Sequence, residues 1–185
     1  KNKVAIVTGG GKGIGEEISL GLAKEGSKVV VADLDKENSS YVVKEILKNS
    51  GEAIYVETDV SNEASVKNLI SETINRFDQI DILINNAGIR HVKKLENHDL
   101  SDWNDMISVN LTGPYICCQA VIPEMKKIGK GKIINFGSIA SFMGRPDRVG
   151  YVAAKSGILG LTRALAIDLK GTNINVNTIC PGLIS

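Results

Sequence analysis

Short runs of β-branched and other apolar residues recur along the chain at 4–8, 28–32, 53–58, 80–85, 132–137 and 174–179. Between them, apolar positions fall at helical spacing near residues 14–25, 36–49, 62–77, 100–128 and 151–169. Continuous apolar runs of this length suit strands buried on both faces, and a period of 3.6 suits helices with one buried stripe. In the first helix the expected core stripe is Ile14, Ile18 and Leu22. Strands alternating with helices predict successive right-handed βαβ units. The expected fold is therefore α/β, a doubly wound parallel sheet with helices on both faces. No linker, low-complexity segment or short repeat interrupts the pattern, so residues 1–185 read as a single domain.

Composition narrows the function. The 185 residues are 43% hydrophobic and 23% charged, with a net charge of +1. That balance argues against a nucleic-acid surface or an acidic partner. Lys93-Lys94, and Lys126-Lys127 with Lys130 and Lys132, read as solvated edges. The apolar runs are too short to span a membrane, and no signal peptide precedes the first strand. Cys117, Cys118 and Cys180 and the two histidines lack ligand spacing. Neither a disulfide framework nor a metal site is expected, and a reducing cytoplasm fits.

The first strand-to-helix junction is Thr8-Gly9-Gly10-Gly11-Lys12-Gly13-Ile14-Gly15. Glycines there let the backbone turn sharply and let a phosphate approach bare N–H groups at the positive end of a helix. Its place in a βαβ unit favours a nucleotide site over a tight loop. The absence of a Gly-Lys-Ser/Thr ending excludes a kinase-type P-loop. Asp33 ends the second strand, where a dinucleotide fold places the carboxylate that bonds the adenosine ribose. A loop aspartate is the alternative, with Asp35 the better helix cap. Asp59 either caps the helix after Ser61 or meets an adenine. Asn85-Asn86-Ala87-Gly88 ends the fourth strand, where a closely passing ligand or a simple turn would each account for the small and polar residues.

A hydroxyl, a phenol and an amine lie in the stretch 138–155, as Ser138, Tyr151 and Lys155. On a helix beginning near Tyr151, the last two share one face. A phenol titrates near ~10, and a neighbouring ammonium favours its phenolate. A drop of ~3 units takes roughly 4 kcal/mol of differential interaction. The stretch reads as a tuned acid/base with a hydroxyl nearby, or as a surface tyrosine packed on a lysine stem.

These residues together resemble the short-chain dehydrogenase/reductase family. The matches are Thr-Gly-x-x-x-Gly-Ile-Gly at 8–15, Asp59-Val60, the 85–88 turn, Val109-Asn110, Gly137-Ser138, Tyr151 with Lys155, and Pro181-Gly182. They follow the family's order and spacing from end to end of the chain. The 3-oxoacyl-carrier-protein reductases and the sugar and polyol dehydrogenases are both similar branches. The resemblance implies a Rossmann-type fold and a nicotinamide-dependent oxidoreductase acting on a small alcohol or ketone. It implies Tyr151 as general acid/base, with Lys155 lowering its pKa and holding the nicotinamide ribose. Ser138 would bond the reacting oxygen, and Asn110 would hold a water behind Lys155. Gly9, Gly13, Ile14 and Gly15 would surround the pyrophosphate, with Lys12 a further cofactor-binding residue of the same loop. Asp33 would meet the ribose, and Asp59 and Val60 the adenine. Asn86, Ala87 and Gly88 would lie on the adenosine side, and Pro181, Gly182 and Ile184 against the nicotinamide. A rival reading is a non-catalytic dinucleotide sensor, but the Ser/Tyr/Lys/Asn set is intact.

Further expectations follow from the resemblance. Lys12 is of the kind seen in NADP-preferring relatives, whereas Asp33 opposes a 2′-phosphate, so NAD is expected over NADP by roughly 2 kcal/mol, or about thirtyfold. Arg90, His91, Arg145, Asp147 and Arg148 are expected near the pocket mouth. Assembly into a homotetramer is expected, with no nucleic-acid or membrane partner. The family normally continues past Pro-Gly with a substrate-covering segment and a last strand and helix. The natural chain is therefore expected to extend beyond Ser185.

Overall fold

The computed structural model describes residues 1–183; Ile184, assigned above to the nicotinamide side, lies outside the described residues. Six strands form one parallel sheet: β1 (Val4–Thr8), β2 (Lys28–Asp33), β3 (Glu52–Glu57), β4 (Ile82–Asn85), β5 (Gly131–Phe136) and β6 (Ile174–Ile179). Their spatial order is β3-β2-β1-β4-β5-β6, so strand order reverses between β1 and β4. Helices α1 (Gly13–Lys24) and α2 (Lys36–Lys48) cover one face, where Ile18, Leu22, Val42 and Ile46 pack on Val7, Val29 and Val31. Helices α3 (Glu63–Phe77), α5 (Gly113–Lys127) and α6 (Val149–Asp168) cover the other. There Leu69, Val121 and Leu169 pack on Ile6, Val30, Leu83 and Ile133. Each large apolar side chain so buried contributes roughly 1.5–3 kcal/mol. Right-handed crossovers demand this division of helices between the faces.

Local chemistry sets the helix ends. Asp35 caps α2 by accepting from Asn38 N, as expected. Asn62, not Asp59, caps α3, by accepting from Ser65 N. Asp59 instead accepts from the N–H and hydroxyl of Ser61, two residues on, a turn that leaves the capping place to Asn62. In α1, Ile18 and Leu22 of the expected stripe face the core and only Ile14 is corrected. Gly15 and Ser19 are the buried positions, and Ile14 is exposed toward solvent. The helix lies so close over its own glycine loop that only small residues fit beneath it.

The segment at 100–128 is not one regular helix. Helix α4 (Leu100–Ile107) runs into a π turn at Ser108–Thr112, where Gly113 N bonds Ser108 O, and then into α5. Met106 and Met125 are both fully buried. They stand 19 positions apart, and five regular turns span only about 18 residues. The π turn absorbs the extra residue and keeps both ends on the core side.

Candidate active site

Ligands of open parallel sheets bind beyond the carboxyl ends of the strands, where strand order reverses. Here that point lies between β1 and β4. Thr8 organises it: its Oγ1 accepts from Asn86 N and Ala87 N, both at 3.1 Å, and donates to Ile84 O at 3.3 Å. The Asn86 amide donates to Thr8 O (3.1 Å) and Gly9 O (3.0 Å), pinning the glycine loop to the end of β4. A Cβ on Gly15 would stand 1.9 Å from Gly9 O, and one on Gly9 2.8 Å from Ala87 Cα. Glycine is obligatory at both positions. The N-cap of α1 is Lys12, whose side chain makes no capping bond, whereas α2, α3 and α4 are capped by Asp35, Asn62 and Asp99. The first N–H groups of α1 thus remain for an anion.

At the end of β2, Asp33 accepts from Gly11 N (3.0 Å) and Asp35 N (3.1 Å), which fixes its carboxylate beside the loop. The surroundings are acidic. Burial, then Glu57, Asp33 and Asp35, push the Tyr55 phenol up. Asn38 first, and Lys12 as a smaller contributor, hold the Asp35 carboxyl below its ordinary value. The Lys12 charge is thus partly answered by Asp35.

Ser138 follows β5, and Tyr151 and Lys155 lie on the first turns of α6, as their spacing predicts. Lys155 is 5% exposed. Its Nζ donates to Phe136 O at 2.7 Å and stands 5.9 Å from the centroid of the Tyr151 ring. Burial pushes the Lys155 ammonium down to about 8, an effect that Cys180 partly offsets. Asn110, on the π turn and fully buried, donates to Ile89 O and Met106 O, both at 3.0 Å, and accepts from Ile89 N at 3.2 Å. Ile139 N bonds Pro181 O at 3.0 Å, so the Ser138 loop and the Pro181-Gly182 segment lie side by side.

A cleft of about 360 Å³ gathers these groups: Ser138, Tyr151, Lys155, Asn110, Ile14, Asn86, Gly88, Pro181 and Gly182 all line it, together with Arg90. Gly9, Lys12, Gly13, Gly15, Asp33 and Ala87 belong to the adjoining loop ends. Asp59 and Val60 stand apart from the cleft, and Val60 is buried against Gly113. Two contributors lie outside the motifs, the Phe136 carbonyl and Ser141, and a third, the Thr8 hydroxyl, lies in a motif that assigns it no role. Of the residues expected at the mouth, Arg90 lines the cleft whereas His91, Arg145, Asp147 and Arg148 do not. The two loops that carry them are joined where Lys93 N donates to Asp147 O at 2.9 Å. Asp102 ion-pairs with Lys93 on the first of them, and His91 Nδ1 stands 3.4 Å from the same carboxylate. Asp147 holds a left-handed φ of 58°, tolerable for aspartate. A larger groove of about 880 Å³ lies at the opposite end of the sheet, lined by Leu20, Tyr41, Ile46, Lys28 and Glu52. It contains none of the acid/base residues.

Comparison with known proteins agrees with this geometry. A family model described as short chain dehydrogenase matches residues 3–185. An uncharacterized oxidoreductase of Thermotoga maritima is 43% identical over the whole chain, which spans 72% of that protein. A 3-oxoacyl-[acyl-carrier-protein] reductase of Synechocystis is 42% identical over 99% of the chain and 74% of its own length. A crystal structure assigned as a short-chain alcohol dehydrogenase from Sinorhizobium meliloti superposes with a TM-score of 0.95 at 35% identity. That match covers 98% of this chain and 72% of the other.

Proposed function

The chain belongs to the short-chain dehydrogenase family of oxidoreductases, and from that premise we propose that it interconverts a ketone and a secondary alcohol on a small substrate, using NAD(H) with NADP(H) disfavoured. The observation that carries the reading is the convergence of Ser138, Tyr151 and a buried Lys155 in one cleft beside the glycine loop. The uncapped start of α1 and the bare loop suit a pyrophosphate, and the fixed Asp33 carboxylate suits a ribose diol. When bound, a nicotinamide supplies or accepts the hydride. The protein manages one proton. In reduction, the Tyr151 hydroxyl gives its proton to the carbonyl oxygen, which Ser138 holds by a hydrogen bond. The Lys155 ammonium balances the charge left on the phenol. In oxidation the same groups act in reverse. Asn110, its side chain committed to Ile89 and Met106, serves by holding the loop beside Lys155 rather than by offering its amide to a water.

The test is a panel of ketones, sugars and 3-oxoacyl thioesters followed by NADH absorbance. Tyr151→Phe is expected to lower kcat by roughly 100-fold or more while cofactor affinity stays nearly unchanged. A variant that kept wild-type turnover would end the reading. A 3-oxoacyl thioester is the second substrate class, favoured by the 42% identity to the Synechocystis reductase. A non-catalytic dinucleotide sensor is disfavoured by the intact Ser138, Tyr151, Lys155 and Asn110 set. The reading also takes the protein as a cytoplasmic homotetramer with no nucleic-acid or membrane partner. Among the described residues, no helix is long and apolar enough to cross a membrane.

A further inference from the structure

The loop that carries Ser138 and the helix that carries Tyr151 and Lys155 are separate elements, and two hydrogen bonds at Lys155 tie that helix to the end of β5 and to the loop. One is spent by the Lys155 ammonium itself, on Phe136 O. The other belongs to Ser141, whose Oγ donates to Lys155 O at 2.7 Å and accepts from Ser138 N at 3.1 Å. We propose that Ser141 is a positioning residue for the reaction, fixing Ser138 against the turn of α6 that bears Lys155. The proposal rests on the acid/base reading of the cleft given above.

The geometry leaves the Ser141 hydroxyl little choice. Its side chain is nearly buried, and it has one proton to give. Ser138 N is a donor and cannot take that proton, so the bond to Lys155 O must carry it. Lys155 lies within α6, where its carbonyl already has a helical partner. The extra bond is therefore not needed to build the helix. Ser156 Oγ reaches Ser141 O at 3.4 Å, a second tie from α6 to the same residue. Gly137 makes room for the arrangement: a Cβ there would stand 3.0 Å from Ser141 Oγ and 2.7 Å from Cys180 Sγ. Ser138 Oγ accepts from Ala140 N at 3.2 Å, so the aim of its proton follows the orientation of its own backbone. Ser141 sets that orientation.

The experiment combines amide hydrogen exchange of the cofactor-free protein with a double-mutant cycle on kcat. In Ser141→Ala, exchange protection in the 138–141 segment is expected to fall while the strands keep theirs. The kcat should drop about tenfold, the equivalent of one lost hydrogen bond, with cofactor affinity unchanged. In a Ser138→Ala background the same substitution should change kcat less than about twofold, because its route to the chemistry is already gone. Ser141→Cys keeps the volume and weakens the bonds, and it serves if the alanine variant does not fold. Unchanged protection overturns the proposal, and so does an equal loss of kcat in both backgrounds. Should the wild-type chain turn over no ketone while its exchange follows the expected pattern, the positioning is supported and the reading of the reaction fails instead.

Discussion

Lys155 carries a cost that the chemistry needs. Its pKa falls from about 10.4 in an unfolded chain to about 8 in the folded one, so folding disfavours its charge. Between these values the unfolded state binds more protons, and stability from this group rises with pH. The span corresponds to on the order of 3 kcal/mol, gained progressively from pH ~8 to ~10.4 and absent below. Lys155→Met should remove that slope. At pH 7 it should stabilise the cofactor-free protein by about 1–2 kcal/mol, since orphaning the Phe136 carbonyl returns part of the gain. Denaturant melts of both proteins across this pH range check the sign, and a steeper slope in the variant would contradict the account. On the proposed reading, Asp33 decides a second property. With Asp35 and Glu57 beside it and the Lys12 charge shared with Asp35, a 2′-phosphate would enter an acidic corner. The kcat/KM ratio of NADH over NADPH should be about thirtyfold, a net difference of roughly 2 kcal/mol, and Asp33→Asn should narrow it.

At the scale of elements, the π turn is where structure departs most from a periodic reading. All six strands are legible in the sequence, because a continuous apolar run bounded by turn residues suits a buried strand and little else. Their ends fall within two residues of expectation. The break in 100–128 is harder to see, since apolar residues continue through it. Its signal is the 19-residue separation of Met106 and Met125, one more than regular turns allow. The Phe136 carbonyl stays hidden because every residue possesses one, and the roles of the Thr8 and Ser141 hydroxyls stay hidden because their partners are backbone groups distant in sequence. Ser138, Tyr151 and Lys155 are legible because side-chain type and spacing carry their chemistry. Asp59 does not cap α3 because Asn62, equally able to cap, stands three residues nearer. Asn110 ties the π turn to the loop after β4. Asn110→Ala would leave the Ile89 N–H without its side-chain partner and should cost about 2–3 kcal/mol. Faster hydrogen exchange at residues 86–92 would accompany the loss, and unchanged exchange there would speak against the tie.

For the whole molecule, the outer side of α4 and the starts of α5 and α6 leave Leu100, Trp103, Tyr115 and Val149 exposed. The small residues Ala153, Gly157, Gly160 and Ala164 lie along α6: Gly157 is matched within the chain, where a Cβ would stand 2.8 Å from Leu111 Cδ2, whereas Gly160 faces open space. If this side joins subunits, as the homotetramer reading requires, Trp103→Glu should dissociate the assembly at micromolar concentration in sedimentation velocity without loss of the fold. Wild-type protein sedimenting as a monomer would refute it. The two mouth loops show another division. They are fastened to each other by Lys93 and Asp147, while the proton chemistry hangs from β5 and α6. On the proposed reading, the approach to the cleft and the acid/base groups are thus carried by different stretches of chain. On that reading, drift at residues 89–99 and 142–148 can alter what the cleft admits without touching the reactive centre, so one scaffold can serve different substrates over generations.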